Sequence, residues 1–242
     1  MDYQLIPMGD QAVMIDLGED ADKTTLNKVH FLTSRLESHP FDWIIEYIPA
    51  FTSIAIIYDP MKIACKVLAK DQLPYEYVME QLIAILSLKM NDEAIKQRVM
   101  EIPVCYGETY GPDLEYVAAA NNLTTDEVIH IHTSGDYIVQ MIGFAPGFPY
   151  INGMSEKIAA PRKETPRLKI PAQSVGIGGK QTGIYPIETP GGWQIIGRTP
   201  LHLFRPEMTP PSLLQAGDKV KFIPISAVEF SKWEIDTHDQ NH

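Results

Sequence analysis

The chain has 242 residues, 45% apolar and 21% charged, a balance that specifies a folded globular protein and excludes a disordered or fibrous one. Its formal net charge of −11 excludes a general nucleic-acid binder, which needs Lys and Arg to neutralise phosphates. No run of about 18 apolar residues and no basic leader with an apolar stretch occurs, so neither a membrane span nor secretion is expected, and two distant cysteines, Cys65 and Cys105, fit a reducing cytoplasm.

In chain order, Tyr3 to Pro7 and Ala12 to Leu17 read as strands joined around Gly9-Asp10. From Asp22 as cap, Leu26, Val29, His30, Leu32 and Leu36 recur at helical spacing until His39-Pro40. Ile44 to Ile48 and Ser53 to Tyr58 form a second strand pair closed by Asp59-Pro60, and a mixed connector follows. Pro74 then opens a helix with Val78, Leu82, Ile85 and Leu86 as its buried stripe. The order ββαββα specifies a two-layer α+β domain, with Lys89 to Arg98 as a polar helical connector and a boundary near Met100. Domains are therefore expected over 1–99 and 100–242.

The second domain opens with a strand at Ile102 to Tyr106 and short helices at Pro112 to Asn121 and Thr125 to His132, the latter capped by Thr124 or Thr125. Beyond Tyr137 the texture changes. Ten of the sixteen glycines fall between Gly143 and Arg205, separating short apolar runs at 175–177, 184–187 and 193–196, a pattern for a closed or partly closed β-barrel. Leu214 to Phe222 adds a turn and strand, and Thr237 to His242 reads as a frayed tail.

The same Gly143 to Arg205 segment holds eight basic and three acidic residues, a local +5 that leaves −16 elsewhere and favours a small anion or an acidic partner surface. Gly176 to Gly183 is rich in glycine but misses the P-loop pattern at Ser174 and Gln181 and the dinucleotide pattern at Gln181. Arg162 and Arg167 lie in a proline-stiffened stretch suited to carboxylate recognition. Phe144, Phe148 and Tyr150, with Gly147 for a sharp turn, suit a pocket wall or an interface, on a segment too irregular for a strand. His130 and His132 lack further metal ligands at suitable spacing and read as helix-end histidines near the last carbonyls. No serine elbow occurs, and Cys105 reads as packing, so no catalytic residue is identified.

Several of these segments, Gly143 to Tyr150, Pro161 to Arg167, Gly178 to Pro186, Pro190 to Trp193 and Ile196 to Pro200, together with Ile48 to Ser53 and Glu101 to Gly107, resemble one family. It is the family of 5-oxoprolinase B subunits, also called the KipI or allophanate hydrolase subunit 1 family. The resemblance implies an N-terminal α+β domain, a C-terminal cyclophilin-like β-barrel, and a role with the C and A subunits of 5-oxoprolinase in ATP-dependent opening of 5-oxo-L-proline to L-glutamate. It also implies an alternative, inhibition of a sensor histidine kinase. No metal or prosthetic group is expected on this chain; ATP is used by the complex. Candidates for substrate binding or a subunit interface are Phe144, Gly147, Phe148, Tyr150, Arg162, Arg167, Gly178, Gly179, Lys180, Gln181, Thr182, Tyr185, Trp193 and Arg198. Gln173 departs from the glycine of many relatives, so a different local turn is expected there, since glutamine tolerates positive φ poorly.

Overall fold

The computed structural model describes residues 2–20, 23–67, 72–87 and 98–239, without the side chains of residue 23 and residues 234–239. The expected connector, apart from Arg98, the Asp22 cap and the last three residues of the expected tail lie outside the described residues. The chain divides into two compact units, Met1–Ile95 and Lys96–His242.

In the first unit, strands β1 (Gln4–Pro7), β2 (Ala12–Asp16), β3 (Ile44–Pro49) and β4 (Ser53–Tyr58) form an antiparallel sheet ordered β1-β2-β4-β3. Alternation puts Val13, Ile15, Ile54, Ile56 and Tyr58 on one buried face. Against it pack Val29, Leu32 and Leu36 of α1 (Lys23–Ser38) and Val78, Leu82 and Leu86 of α3 (Pro74–Leu86). The expected mixed connector is instead partly a helix, α2 (Pro60–Val67), which buries Ile63 and Val67. Asp59 starts it: Oδ1 accepts from the Met61 N–H at 3.0 Å and the Lys62 N–H at 3.3 Å, and Pro60 needs no N–H partner. Asp59-Pro60 thus ends a strand and begins a helix, and the order becomes ββαββαα.

The second unit is a closed seven-stranded barrel flanked by helices. Its strands are β5 (Val99–Tyr106), β6 (Tyr137–Ile142), β7 (Pro149–Asn152), β9 (Ser174–Gly178), β10 (Gln181–Ile184), β12 (Gln194–Arg198) and β13 (Lys219–Pro224), in the order β10-β7-β6-β13-β5-β12-β9. Pairing of β9 with β10 closes the ring, and β13 runs parallel to β5 while the other pairings are antiparallel. Ile102, Val104, Val139, Ile151, Val175, Ile177, Ile184, Ile196, Val220 and Phe222 supply its core, covered by Val117 of α4 (Leu114–Ala120) and Val128 of α5 (Thr125–Thr133). A separate two-stranded ribbon pairs β8 (Arg167–Ile170) with β11 (Thr189–Gly191).

Several boundaries differ from expectation. The aromatic segment is not irregular throughout, because Pro149 opens β7, where its missing N–H costs least. Only Ile184 of the 184–187 run is in a strand, and β13 starts at Lys219 after the Ala216-Gly217-Asp218 turn. The chain does not fray at Thr237: α6 (Ala227–Asp239) includes it. Ser226 and Glu229 cap that helix reciprocally, the Ser226 N–H donating to Glu229 Oε2 at 2.8 Å and the Glu229 N–H to Ser226 Oγ at 3.3 Å.

Replacing Asp59 by Ala removes the acceptor for two helix-end N–H groups while leaving the sheet intact. A loss of about 1 kcal/mol is expected, read as a lower urea midpoint with an unchanged slope.

Candidate functional site

Asp113 precedes α4, where an aspartate would ordinarily cap the helix, yet its side chain makes no cap hydrogen bond. It crosses to the barrel instead. Oδ2 accepts from the Ile195 N–H at 2.7 Å, while Oδ1 accepts from Arg167 Nη2 at 2.8 Å and faces Lys163 Nζ at 3.0 Å. Burial alone would raise its pKa, but Arg167, the Ile195 N–H and Lys163 together hold it below the ordinary aspartate value. The carboxylate therefore stays ionised and fixes the proline-rich loop at two points. A third tether is the Lys163 N–H, which donates to the Gly192 carbonyl at 2.7 Å.

Fastened this way, the two arginines part company. Arg167 is committed to Asp113, and its Nη1 is buried without a hydrogen-bond partner. Arg162 is exposed, with no carboxylate partner among the described residues, and lies over the Trp193 ring at 5.8 Å from the centroid. Below it Phe148, Ile170, Tyr185, Trp193 and Ile195 form a compact apolar cluster. Phe148 sits at its centre, edge-to-face with Phe144, Tyr150, Tyr185 and Trp193 at centroid distances of 5.4, 5.2, 5.4 and 5.7 Å. Phe144 is 66% exposed and Gly147 turns the loop with φ +78°. Burial pushes the Tyr185 hydroxyl up to about 12, against the lowering influence of a Trp193 main-chain hydrogen bond, Arg162 and Arg167. The phenol stays protonated beside two guanidinium groups, a neutral donor next to cations. Above this buried aromatic floor the exposed Phe144, the half-buried Tyr150 and an uncommitted guanidinium suit a small carboxylate carrying a ring.

The glycine-rich run is a β-hairpin, β9 to β10, turning at Gly179 and Lys180. Its main-chain groups pair across the strands, from Gly178 with Gln181 to Val175 with Ile184. Lys180 is exposed and paired with Glu156 at 2.7 Å. These residues do not form a phosphate cradle. The glycine at 178 answers a different demand: a Cβ there would come within 2.5 Å of Trp193 Nε1, so its absence lets the indole lie on the strand.

Thr182 is wholly buried and belongs to the barrel interior. Its hydroxyl donates to the Gly176 carbonyl at 3.0 Å, so it accepts from His132 Nε2, also at 3.0 Å. His132 Nδ1 is then an acceptor, and Tyr106 OH donates to it at 2.8 Å. Every donor in this chain, from Tyr106 through His132 and Thr182 to Gly176, has one destination. His132 does lie in the last turn of α5, as expected, but its ring turns inward instead of to the last carbonyls: it is fully buried, lies tilted against Phe222 at 4.4 Å and is held neutral down to about 3 by burial.

Arg198 stands apart from Arg162, over the Phe230 ring of α6 at 6.0 Å, donating to the Ala172 carbonyl at 3.0 Å and to Gln173 Oε1 at 3.2 Å. Gln173 does not alter the local turn as expected but keeps the left-handed conformation that a glycine would favour, with φ +69°. Its side-chain bond to Arg198 and its main-chain bond from the Thr199 N–H, at 3.0 Å, compensate the strained backbone. Of the residues expected to act together, Phe144, Phe148, Tyr150, Arg162, Arg167, Tyr185 and Trp193 converge, Gly178 lies against Trp193, Gly179 to Gln181 form the hairpin turn with Lys180 paired to Glu156, and Thr182 and Arg198 serve other contacts. The roles of Asp113, Lys163, Tyr106 and His132 emerge only from the fold.

A family model for the carboxyltransferase domain, subdomain C and D, matches residues 3–214. Among similar proteins, the 5-oxoprolinase B subunit of Bacillus subtilis (strain 168) is 49% identical over 98% of both chains. The protein of the same name from Escherichia coli O157:H7 is 39% identical over 90% of this chain and 94% of its own. A solved structure of a conserved uncharacterized protein from Pyrococcus horikoshii is 44% identical, covers 94% of this chain and 100% of its own, and superposes with a TM-score of 0.55. The chain belongs to the carboxyltransferase subdomain C and D family, in the branch of the 5-oxoprolinase B subunits.

Two outcomes test this geometry. Asp113→Ala strands two cations and an N–H group, and a stability loss of about 3–5 kcal/mol is expected, measured by thermal unfolding, with Asp113→Asn recovering part of it. For His132, the folded pKa of about 3 lies below the ordinary 6.5. Stability from the neutral ring is therefore complete above the unfolded value and drains away as pH falls from there towards 3, at about 1.4 kcal/mol per pH unit. Urea titrations should show a shallower acid loss for His132→Gln than for the unmodified chain.

Proposed function

We propose that this chain is the B subunit of an ATP-dependent 5-oxoprolinase, acting with the C and A subunits in the cytoplasm to open 5-oxo-L-proline to L-glutamate. The support is its 49% identity to the Bacillus subtilis B subunit over nearly the whole of both chains. The aromatic floor adds a chemical reason. 5-Oxoproline is a flat lactam bearing one carboxylate, and Arg162, held over the Trp193 indole, offers that carboxylate a guanidinium fork. Asp113 holds Lys163 and Arg167, so neither competes with Arg162 for the anion, and Tyr185 keeps its proton and stays neutral beside it. Phe144 and Leu168, 66% and 87% exposed, are anchors for a neighbouring subunit that completes the site. The attacking water and the activation by ATP belong to that other side.

In the complex reconstituted with the C and A subunits, Arg162→Ala should raise the KM for 5-oxoproline by roughly 10- to 100-fold, the value of one charged hydrogen bond. Subunit association should be unchanged by gel filtration. A KM equal to that of the unmodified complex would remove Arg162 from substrate binding.

A further inference from the structure

A groove of about 780 Å³ opens on the second unit, and none of the residues of the aromatic floor lines it. Pro103 and Ile223, paired across β5 and β13, line it together with Leu201 and with Trp233 of α6. Into this apolar setting come two nitrogen donors from the 201–207 loop. Arg205 has its Nε buried without a hydrogen-bond partner, and its guanidinium has no ion pair among the described residues. His202 accepts from Gln173 Nε2 at its Nδ1, at 3.3 Å, which leaves its proton on Nε2.

The acidic groups at the groove do not answer Arg205. Glu101 is turned to Lys221 at 3.4 Å, and Glu207 is exposed, with no ion pair to the arginine. An arginine that lines a cleft large enough for an organic molecule, with no acidic partner for its charge among the described residues and one donor nitrogen unpaired, favours an anion that enters the cleft.

We infer that this groove is a second binding site, for an amphipathic monocarboxylate whose carboxylate is held by Arg205 and His202 and whose hydrocarbon body lies against Pro103, Leu201, Ile223 and Trp233. The charge sets orientation and the walls set affinity, so a short carboxylate and a neutral alcohol each satisfy only half of the site. Nothing in this site depends on the 5-oxoprolinase reading, and it is tested on the chain alone.

The experiment is isothermal titration calorimetry of the full chain with octanoate, acetate and octanol. Saturable one-to-one binding of octanoate is expected, with acetate and octanol each at least about 10-fold weaker. Arg205→Gln should weaken octanoate by about 10-fold or more, the cost of a charged hydrogen bond, and leave octanol unchanged. Trp233→Ala, on an exposed helix, should weaken octanoate and octanol alike and serves if Arg205→Gln fails to fold. Absence of octanoate binding at millimolar concentration, equal binding of octanoate and octanol, or unaltered octanoate binding in a folded Arg205→Gln or Trp233→Ala protein would each overturn the proposal.

Discussion

The site depends on one buried carboxylate. Asp113 is desolvated, and three nitrogen groups, from β12, the proline-rich loop and the base of β8, converge on it. A carboxylate so placed is stable only while all three remain, which couples the position of the loop to the position of the barrel strand. That coupling gives two nearby arginines unequal duties. Arg167 and Lys163 spend their charge on holding the loop, and Arg162, one residue from Lys163, is left projecting over Trp193. Of the three cations in the proline-rich loop, Arg162 alone thus keeps a guanidinium without a carboxylate partner among the described residues.

The aromatic floor imposes its own demand on the strands beneath it. An indole lying flat on a β-hairpin needs bare backbone below the ring, and Gly178 provides it. Glycine density here records the close approach of a large side chain to main chain, and a phosphate needs no part in the explanation. The hairpin in turn carries Thr182 on its inward side, where the hydroxyl joins the buried hydrogen-bond chain through His132 to Tyr106. One short hairpin therefore serves the floor on one face and the barrel core on the other, as the two-residue period of a strand allows.

Local periodicity makes the first sheet, α1, α3, α4 and α5 legible in the sequence, because each depends on neighbours a few positions away. Two helices are not anticipated although their caps are present in the sequence: Asp59-Pro60 reads equally as a strand stop, and Ser226 to Glu229, an S-x-x-E pattern, precedes a polar end with the composition of a frayed tail. Phe148, Tyr185, Trp193 and Arg162 are visible as a cluster of unusual residues. Asp113 is not, since its meaning lies in a partner 54 positions away in Arg167 and another 82 away in Ile195. His132 is hidden for the same reason: nothing in a helix-end histidine announces that it faces inward towards a threonine 50 positions later. Gln173 shows the converse, a residue whose oddity is legible while the contacts that relieve it, Arg198 and Thr199, are not.

The parallel pairing of β13 with β5 joins the first barrel strand to the last, Val99 opposite Lys219 and Val104 opposite Pro224. During synthesis on the ribosome, one edge of β5 must wait for some 120 residues before its partner emerges, with its hydrogen-bonding groups unsatisfied by any strand of its own barrel. The last two open edges of the ring, one on β5 and one on β6, are closed together by β13, and an arrest of translation between β12 and β13 would leave a ring with a gap rather than a shorter barrel.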